Sequence, residues 1–240
     1  MAPQVLFIHN EHMATEGLLG EAFTECGYHI TTFEVVPADR VDDPVGEVVF
    51  PDPAGYDVVV PLGARWPVYD EALRQTWVGA EMQMLREAAD AGVPTLGVCF
   101  GGQLLAQAFG GTVARSPKPE IGWYEVASDD EDLIPGGSWF EWHFDTWTLP
   151  PGATEIARTA NASQAFVLGR ALGLQFHPEV DHALLDVWLS DDRNGEVASV
   201  GLTHDELRSA TRQFENDAAC RIRALVRGFL SRVARQPCPS

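Results

Sequence analysis

Basic residues are scarce in this chain. Sixteen lysines and arginines stand against 35 aspartates and glutamates, a formal net charge of −19 at pH 7 over 240 residues. A surface of that sign repels phosphate backbones and anionic bilayers, so neither nucleic acid nor a membrane is an expected partner. The acidic excess is spread along the chain and not gathered into a tail, which reads as solubility. Long apolar runs are missing too: no stretch approaches the roughly 18 residues that a membrane span needs. The opening MAPQVLFIHNEHMATEG has no basic region ahead of an apolar core, so no secretory signal is expected. Cysteine is confined to positions 26, 99, 220 and 238, with no CxxC pair. That spacing fits neither a zinc site nor a small disulfide scaffold, and it predicts free thiols in a cytoplasmic protein. No GxxxxGK(S/T) phosphate loop is present.

What is present in the first 110 residues is alternation. VLFIH (5–9), HITTFEVV (29–36), DVVVPLG (57–63) and VPTLGVC (93–99) are short apolar or β-branched runs. Between them, GLLGEAFTECG (17–27), ALRQTWVGAEMQMLREAADA (72–91) and QLLAQAFGG (103–111) have helical spacing with glycine stops. The Pro-, Asp- and Gly-rich segment 37–55 reads as a surface connection. Strand–helix alternation predicts a mostly parallel sheet flanked by helices, a flavodoxin-like α/β fold, with ligands at the carboxyl ends of the strands.

The middle changes character. IGWYEVA (121–127), SWFEWHF (138–144), QAFVLG (164–169) and ALGLQFH (171–177) read as short strands of a smaller antiparallel region, and EVDHALLDVWLSD (179–191) returns to helix. In the tail, Thr203 and Glu206 form a capping box, and apolar positions from 207 to 229 recur every three or four residues. The expected organisation is a domain over 1–190 and a C-terminal helical extension over 191–240. The apolar stripe of that extension either packs on the same domain or docks a second chain, so a homo-oligomer is among the expectations.

The stretch GVCFGGQ (97–103) carries the chemistry. A glycine–x–nucleophile–x–glycine turn between strand and helix lifts the central side chain above the sheet edge, and Gly97 and Gly101 supply the small residues the turn needs. Cys99 is then at a helix N-terminus, where free N–H groups and the helix dipole favour an anion. The alternative is a small buried hydrophobe, but such a cysteine has no need of glycines on both sides. A nucleophilic cysteine needs a base. Of seven histidines, His177 in QFHPE ends an apolar strand at the same predicted rim, and Glu179 is placed to orient its ring.

In these blocks the chain resembles the class I glutamine amidotransferases, the triad glutaminases, over roughly residues 1–190. The resemblance rests on PTLGVCFGGQLLAQAFGGTV, IGWYEV, WHFDTWTLPPGATEIA, QAFVLG and GLQFHPEV, in that order. It implies a Cys99–His177–Glu179 triad, Phe100 N–H as an oxyanion donor, Gln103 as a contact to substrate glutamine, and no metal or organic cofactor. The expected partners are glutamine or a γ-glutamyl small molecule and, for a stand-alone member, a separate synthase subunit that accepts ammonia. Residues 191–240 are too few to be a nucleotide-dependent synthetase.

One block departs from the family. Its members carry a Gly-Gly-Pro type loop after the third strand, where this chain reads VVVPLGARWPVYD (58–70). Gly63 is the matching glycine and the expected second oxyanion donor. Arg65 is either a surface residue or a contact for a substrate with an extra carboxylate. His143 and Asp145 are read as structural or rim residues, and His9, Asn10 and His12 form no recognisable metal pattern. Two further readings stand beside glutamine hydrolysis: a γ-glutamyl peptide or amide hydrolase using the same triad, and a non-catalytic regulatory or binding module.

Overall fold

The computed structural model describes residues 2–192 and 194–235; Cys238 lies outside them. The chain begins with β1 (Gln4–His9), α1 (Gly17–Glu25), β2 (His29–Glu34), β3 (Val58–Pro61), α2 (Glu71–Arg74), α3 (Trp77–Asp90), β4 (Thr95–Val98) and α4 (Phe100–Ala108). There follow β5 (Thr112–Ser128), β6 (Gly137–Thr148), β7 (Thr154–Arg158), β8 (Ser163–Leu168) and β9 (Ala171–Leu174). It closes with α5 (His182–Ser190), α6 (Glu196–Ser199) and α7 (His204–Gly228).

All nine strands form one sheet, ordered β2-β1-β3-β4-β9-β8-β7-β5-β6. Pairing is parallel from β2 through β9 and antiparallel from β9 to β6. The expected antiparallel region therefore continues the same sheet. It is also longer than its sequence suggests: β5 runs for 17 residues, and TEIAR adds β7, a strand that alternation alone does not reveal.

Period-two side-chain direction explains the two core layers. Val5, Phe7, Val58 and Val60 pack with Leu19 and Phe23 of α1 and Ile222 and Leu225 of α7. Their neighbours Leu6, Ile8 and Val59 face the other way, onto Trp77 and Leu85 of α3 and Leu104 of α4. Burial on both faces is why these strands are continuous apolar runs and not alternating ones. Each such side chain contributes about 1.5–3 kcal/mol relative to exposure.

Three sequence expectations change. The helix over 72–91 breaks into α2 and α3 at Thr76, whose backbone is non-helical (φ −123°, ψ −121°), while its hydroxyl turns back onto the carbonyl oxygens of Ala72 at 3.1 Å and Leu73 at 3.3 Å. The strand over 171–177 stops at Leu174: the N–H of His177 leaves the ladder and donates to Phe140 O on β6 at 2.8 Å. Cys99 and Cys220 are free, but Cys26 is disulfide-bonded. Sequence spacing tests only nearby cysteines and is silent on pairing at a distance.

The Thr203–Glu206 capping box forms at the start of α7. The stripe of that helix packs on the domain, with Phe229 against Phe23 and the Trp123 indole N–H donating to Thr211 Oγ1 at 2.9 Å.

The turn from β4 to α4 is built on close backbone approach. A Cβ on Gly101 would lie 2.0 Å from the carbonyl oxygen of Pro61 in β3, whereas one on Gly55 would meet nothing within 4 Å. Gly101→Ala is therefore expected to cost about 1–3 kcal/mol and lower Tm by roughly 2–12 °C. Gly55→Ala should stay within about 0.5 kcal/mol. Equal melting curves for the two variants in calorimetry would contradict this packing.

Candidate active site

Cys99 sits at the corner between β4 and α4 with φ 50° and ψ −105°. No other residue type here escapes the cost of that region except glycine, and a side chain held there stores about 1–3 kcal/mol. The surrounding structure enforces it: the Cys99 N–H donates to Leu174 O on β9 at 2.8 Å, and Gly101 wedges under β3. The result places the thiol, 6% exposed, at the first turn of α4, whose leading N–H groups have no carbonyl one turn back. Phe100 N–H is the first of these.

His177 follows β9, the strand beside β4. Its Nδ1 is 2.7 Å from Glu179 Oε1, and both side chains are buried. Glu179 is itself fixed, because its carbonyl oxygen accepts from Leu18 N–H at the start of α1 at 3.0 Å. Nε2, on the far side of the imidazole, is buried and has no hydrogen-bond partner among the described residues. Burial works against the imidazolium, but the Glu179 carboxylate and the Cys99 sulfur outweigh it and hold His177 well above the ordinary histidine range. Trp188 meets the ring edge-on, with centroids 4.9 Å apart, and covers it.

Gly63 lies against both groups: a Cβ there would be 3.2 Å from His177 Cε1 and 3.9 Å from Cys99 Cβ. Gln103, on α4, is buried and donates to Gln175 Oε1 at 3.2 Å, while Gln175 Nε2 points at Cys99 Sγ from 3.6 Å. Cys99 Sγ in turn lies 3.9 Å from the carbonyl oxygen of Trp142. These residues open on a cavity of about 630 Å³, inside the range of roughly 300–1,000 Å³ typical of small-molecule sites.

Arg65 also lines the cavity, but its guanidinium is already engaged, by Glu11 at 2.6 Å and Asp191 at 2.6 Å. Burial disfavours the Arg65 charge, and those two carboxylates more than restore it. The residue thus clamps the loop after β3 to the end of α5.

His143 and Asp145 are on β6 at the cavity wall. His143 Nδ1 meets Asp145 O at 2.9 Å and Nε2 meets Glu120 Oε2 at 3.1 Å. Glu120, Glu141 and His143 bring potential ligand atoms within 4.8 Å of one another. Glu120 already accepts from Thr159, Asn161 and Gln164 besides His143, so its oxygens are taken and it acts as a polar hub. Glu141 is fully enclosed, and burial, Glu120 and Cys99 push its carboxyl well up against the pull of His177. A neutral Glu141 adds no second anion beside the thiol.

Cys99, His177, Glu179, Gly63, Gln103 and the Phe100 backbone thus converge. Sequence reasoning missed Gln175 and Glu141. Gln175 has a weak signal, a polar residue inside the apolar run ALGLQFH; Glu141 has none, because SWFEWHF gives no sign of which face is enclosed.

Three comparisons bear on this geometry. The family model "Glutamine amidotransferase class-I" matches residues 67–190. A GMP synthase (glutamine-hydrolyzing) of Aeropyrum pernix is 38% identical over 172 residues, 65% of this chain and 31% of that protein. One subunit of a GMP synthase (glutamine-hydrolyzing) of Sulfurisphaera tokodaii is 40% identical over 98 residues, 37% of this chain and 52% of that one. The chain therefore spans about a third to a half of these relatives. A crystal structure of a glutamine amidotransferase from Thermotoga maritima superposes with a TM-score of 0.81 at 26% identity, covering 96% of this chain and 99% of that one.

Because Glu179 is the largest influence favouring the His177 cation, Glu179→Gln should lower the pH at which the ring loses its proton. The imidazole Cε1–H signal followed by NMR through a pH titration reads this directly. A midpoint unmoved or raised would show that Glu179 does not govern the ring.

Proposed function

This chain belongs to the class-I glutamine amidotransferase family, and on that footing we propose that it hydrolyses the side-chain amide of glutamine through a cysteine thioester, releasing ammonia and glutamate. The observation that carries the reading is the strained Cys99 corner on the strand next to the buried His177–Glu179 pair.

The Cys99 thiolate attacks the amide carbon, and the carbonyl electron pair moves onto oxygen. N–H groups of Phe100 and Gly63 hold that oxyanion beside the largely buried Cys99, and fixed donors of this kind act most strongly where water is scarce. The C–N bond then breaks and the His177 imidazolium gives its proton to the departing ammonia. The neutral ring next takes a proton from water; the hydroxide attacks the thioester carbon, the C–S bond breaks, and glutamate leaves. Thiolate and imidazolium are restored. Glu179 keeps the ring oriented and stabilises its cation, as the carboxylate of a nucleophile–His–acid triad does. Gln103, which lines the cavity, is the polar contact for the glutamine side chain, and the buried Gln175 links it to the sulfur.

Two relatives are named as one subunit of a GMP synthase (glutamine-hydrolyzing), which supports an ammonia acceptor on a separate chain. No helix among the described residues is long and apolar enough to cross a membrane. We place the reaction in the cytoplasm on the need of Cys99 to stay reduced, as it is here, with the Cys26 disulfide as the feature that speaks against that compartment.

Cavity size favours one further reading. Ten heavy atoms, the count for glutamine, take on the order of 300 Å³ at a water's share of about 30 Å³ each, about half of the 630 Å³ present. A γ-glutamyl amide with a larger amine therefore fits the same site. Arg65, neutralised by Glu11 and Asp191, offers little to an added carboxylate.

Cys99→Ala should abolish ammonia release from glutamine, a loss of at least about 10³-fold, with Tm unchanged or raised. An electrophilic glutamine analogue should label the wild-type thiol once per chain. Turnover surviving in Cys99→Ala would overturn the assignment. Single-turnover rates for glutamine against γ-glutamyl amines rank the two substrate classes.

A further inference from the structure

A peptide group is planar and trans, so the carbonyl of Leu62 and the N–H of Gly63 point in opposite directions. Whatever holds the one aims the other. Leu62 O accepts from Asn10 Nδ2 at 2.9 Å. Since a carbonyl can only accept, the amide of Asn10 must turn its nitrogen to this side. Leu62 N–H is held separately by Ile8 O at 3.0 Å. Among the described residues, the Gly63 N–H donates to no backbone carbonyl, and Gly63 abuts His177 and Cys99.

Asn10, which follows β1, is completely buried, and so is Glu81 beside it on α3. Asn10 Oδ1 and both Glu81 oxygens have no hydrogen-bond partner among the described residues. An isolated buried polar pair of this kind costs stability, so its retention beside the site calls for a role.

We propose that Asn10, with the buried Glu81 carboxyl beside it, is a positioning residue: it pins the Leu62–Gly63 peptide so that the Gly63 N–H points at the oxygen of the reacting amide. The inference rests on Gly63 being an oxyanion donor in the reaction above, and it supplies what the Gly-Gly-Pro type loop would otherwise build in. Burial pushes the Glu81 carboxyl up to about 8, relieved by the Asn10 amide, and no charged neighbour on any surrounding element contributes. Below that pH Glu81 is neutral and leaves Asn10 to Leu62. Above it, the carboxylate draws the Asn10 N–H groups to itself and releases the peptide.

The test compares wild type, Asn10→Ala and Glu81→Gln in steady-state ammonia release from glutamine. Removing an oxyanion donor costs about 10²–10³ in kcat, and loosening one costs less. Asn10→Ala should therefore lower kcat by about 10- to 100-fold with KM changed by less than about threefold, because the oxyanion exists only beyond the ground state. Wild-type kcat should fall as pH rises through about 8, and Glu81→Gln should lose that alkaline limb. A merely structural role would shift Tm without splitting kcat from KM or moving the pH profile. Folded Asn10→Ala with wild-type kcat, or an alkaline limb intact in Glu81→Gln, overturns the proposal. Should Asn10→Ala fail to fold, the Glu81→Gln profile decides. A wild-type chain whose ammonia release does not depend on Cys99 would instead overturn the amidohydrolase reading itself.

Discussion

Parallel pairing of β4 with β9, in register from Thr95↔Ala171 to Val98↔Leu174, is the contact on which the site depends. Neighbouring strands lie about 4.8 Å apart, so whatever leaves their carboxyl ends is brought within reach across the sheet edge. Cys99 leaves one and Gln175 and His177 leave the other. The ladder ends with the Cys99 N–H on Leu174 O, so the bond that completes the sheet also fixes the backbone of the nucleophile in its costly conformation. Flanking helices bury both sheet faces, and that burial is what offsets the local strain.

Electrostatics at this edge follow from enclosure. A buried ion is tolerated only with a partner, and the site pairs its charges: His177 with Glu179, and Arg65 with Glu11 and Asp191. Glu81 and Glu141, both fully enclosed, are the carboxyls that burial pushes up most. The cation on His177 is thereby left facing the thiol, the arrangement that proton delivery to a leaving amine requires.

Much of this was legible in the residues. The apolar runs of β1, β3 and β4 signal strands buried on both faces, and Thr203 with Glu206 marks the start of α7. Gly97 and Gly101 around Cys99 announce the corner because only small residues fit there. Less was legible where the signal is not local. Nothing in 72–91 shows the break at Thr76. TEIAR has too little apolar character to declare itself as β7 before β8 is beside it. Asn10 and Glu81 look like an ordinary loop residue and an ordinary helix-surface residue, and become informative only once both are seen to be fully buried.

The sequence by itself determined most of the elements and their order, the thiol corner at Cys99 with His177 and Glu179 as its candidate partners, and the departure after β3, because each is a matter of local pattern and side-chain chemistry. Tertiary structure alone decided the partners: that Arg65 is spent on Glu11 and Asp191, that Gln175 faces the sulfur, and that Asn10 holds the peptide of Gly63. The physical reason is that a hydrogen bond or ion pair depends on distance in space. Sheet order and strand register set that distance, and residues far apart in the chain do not encode it in their spacing.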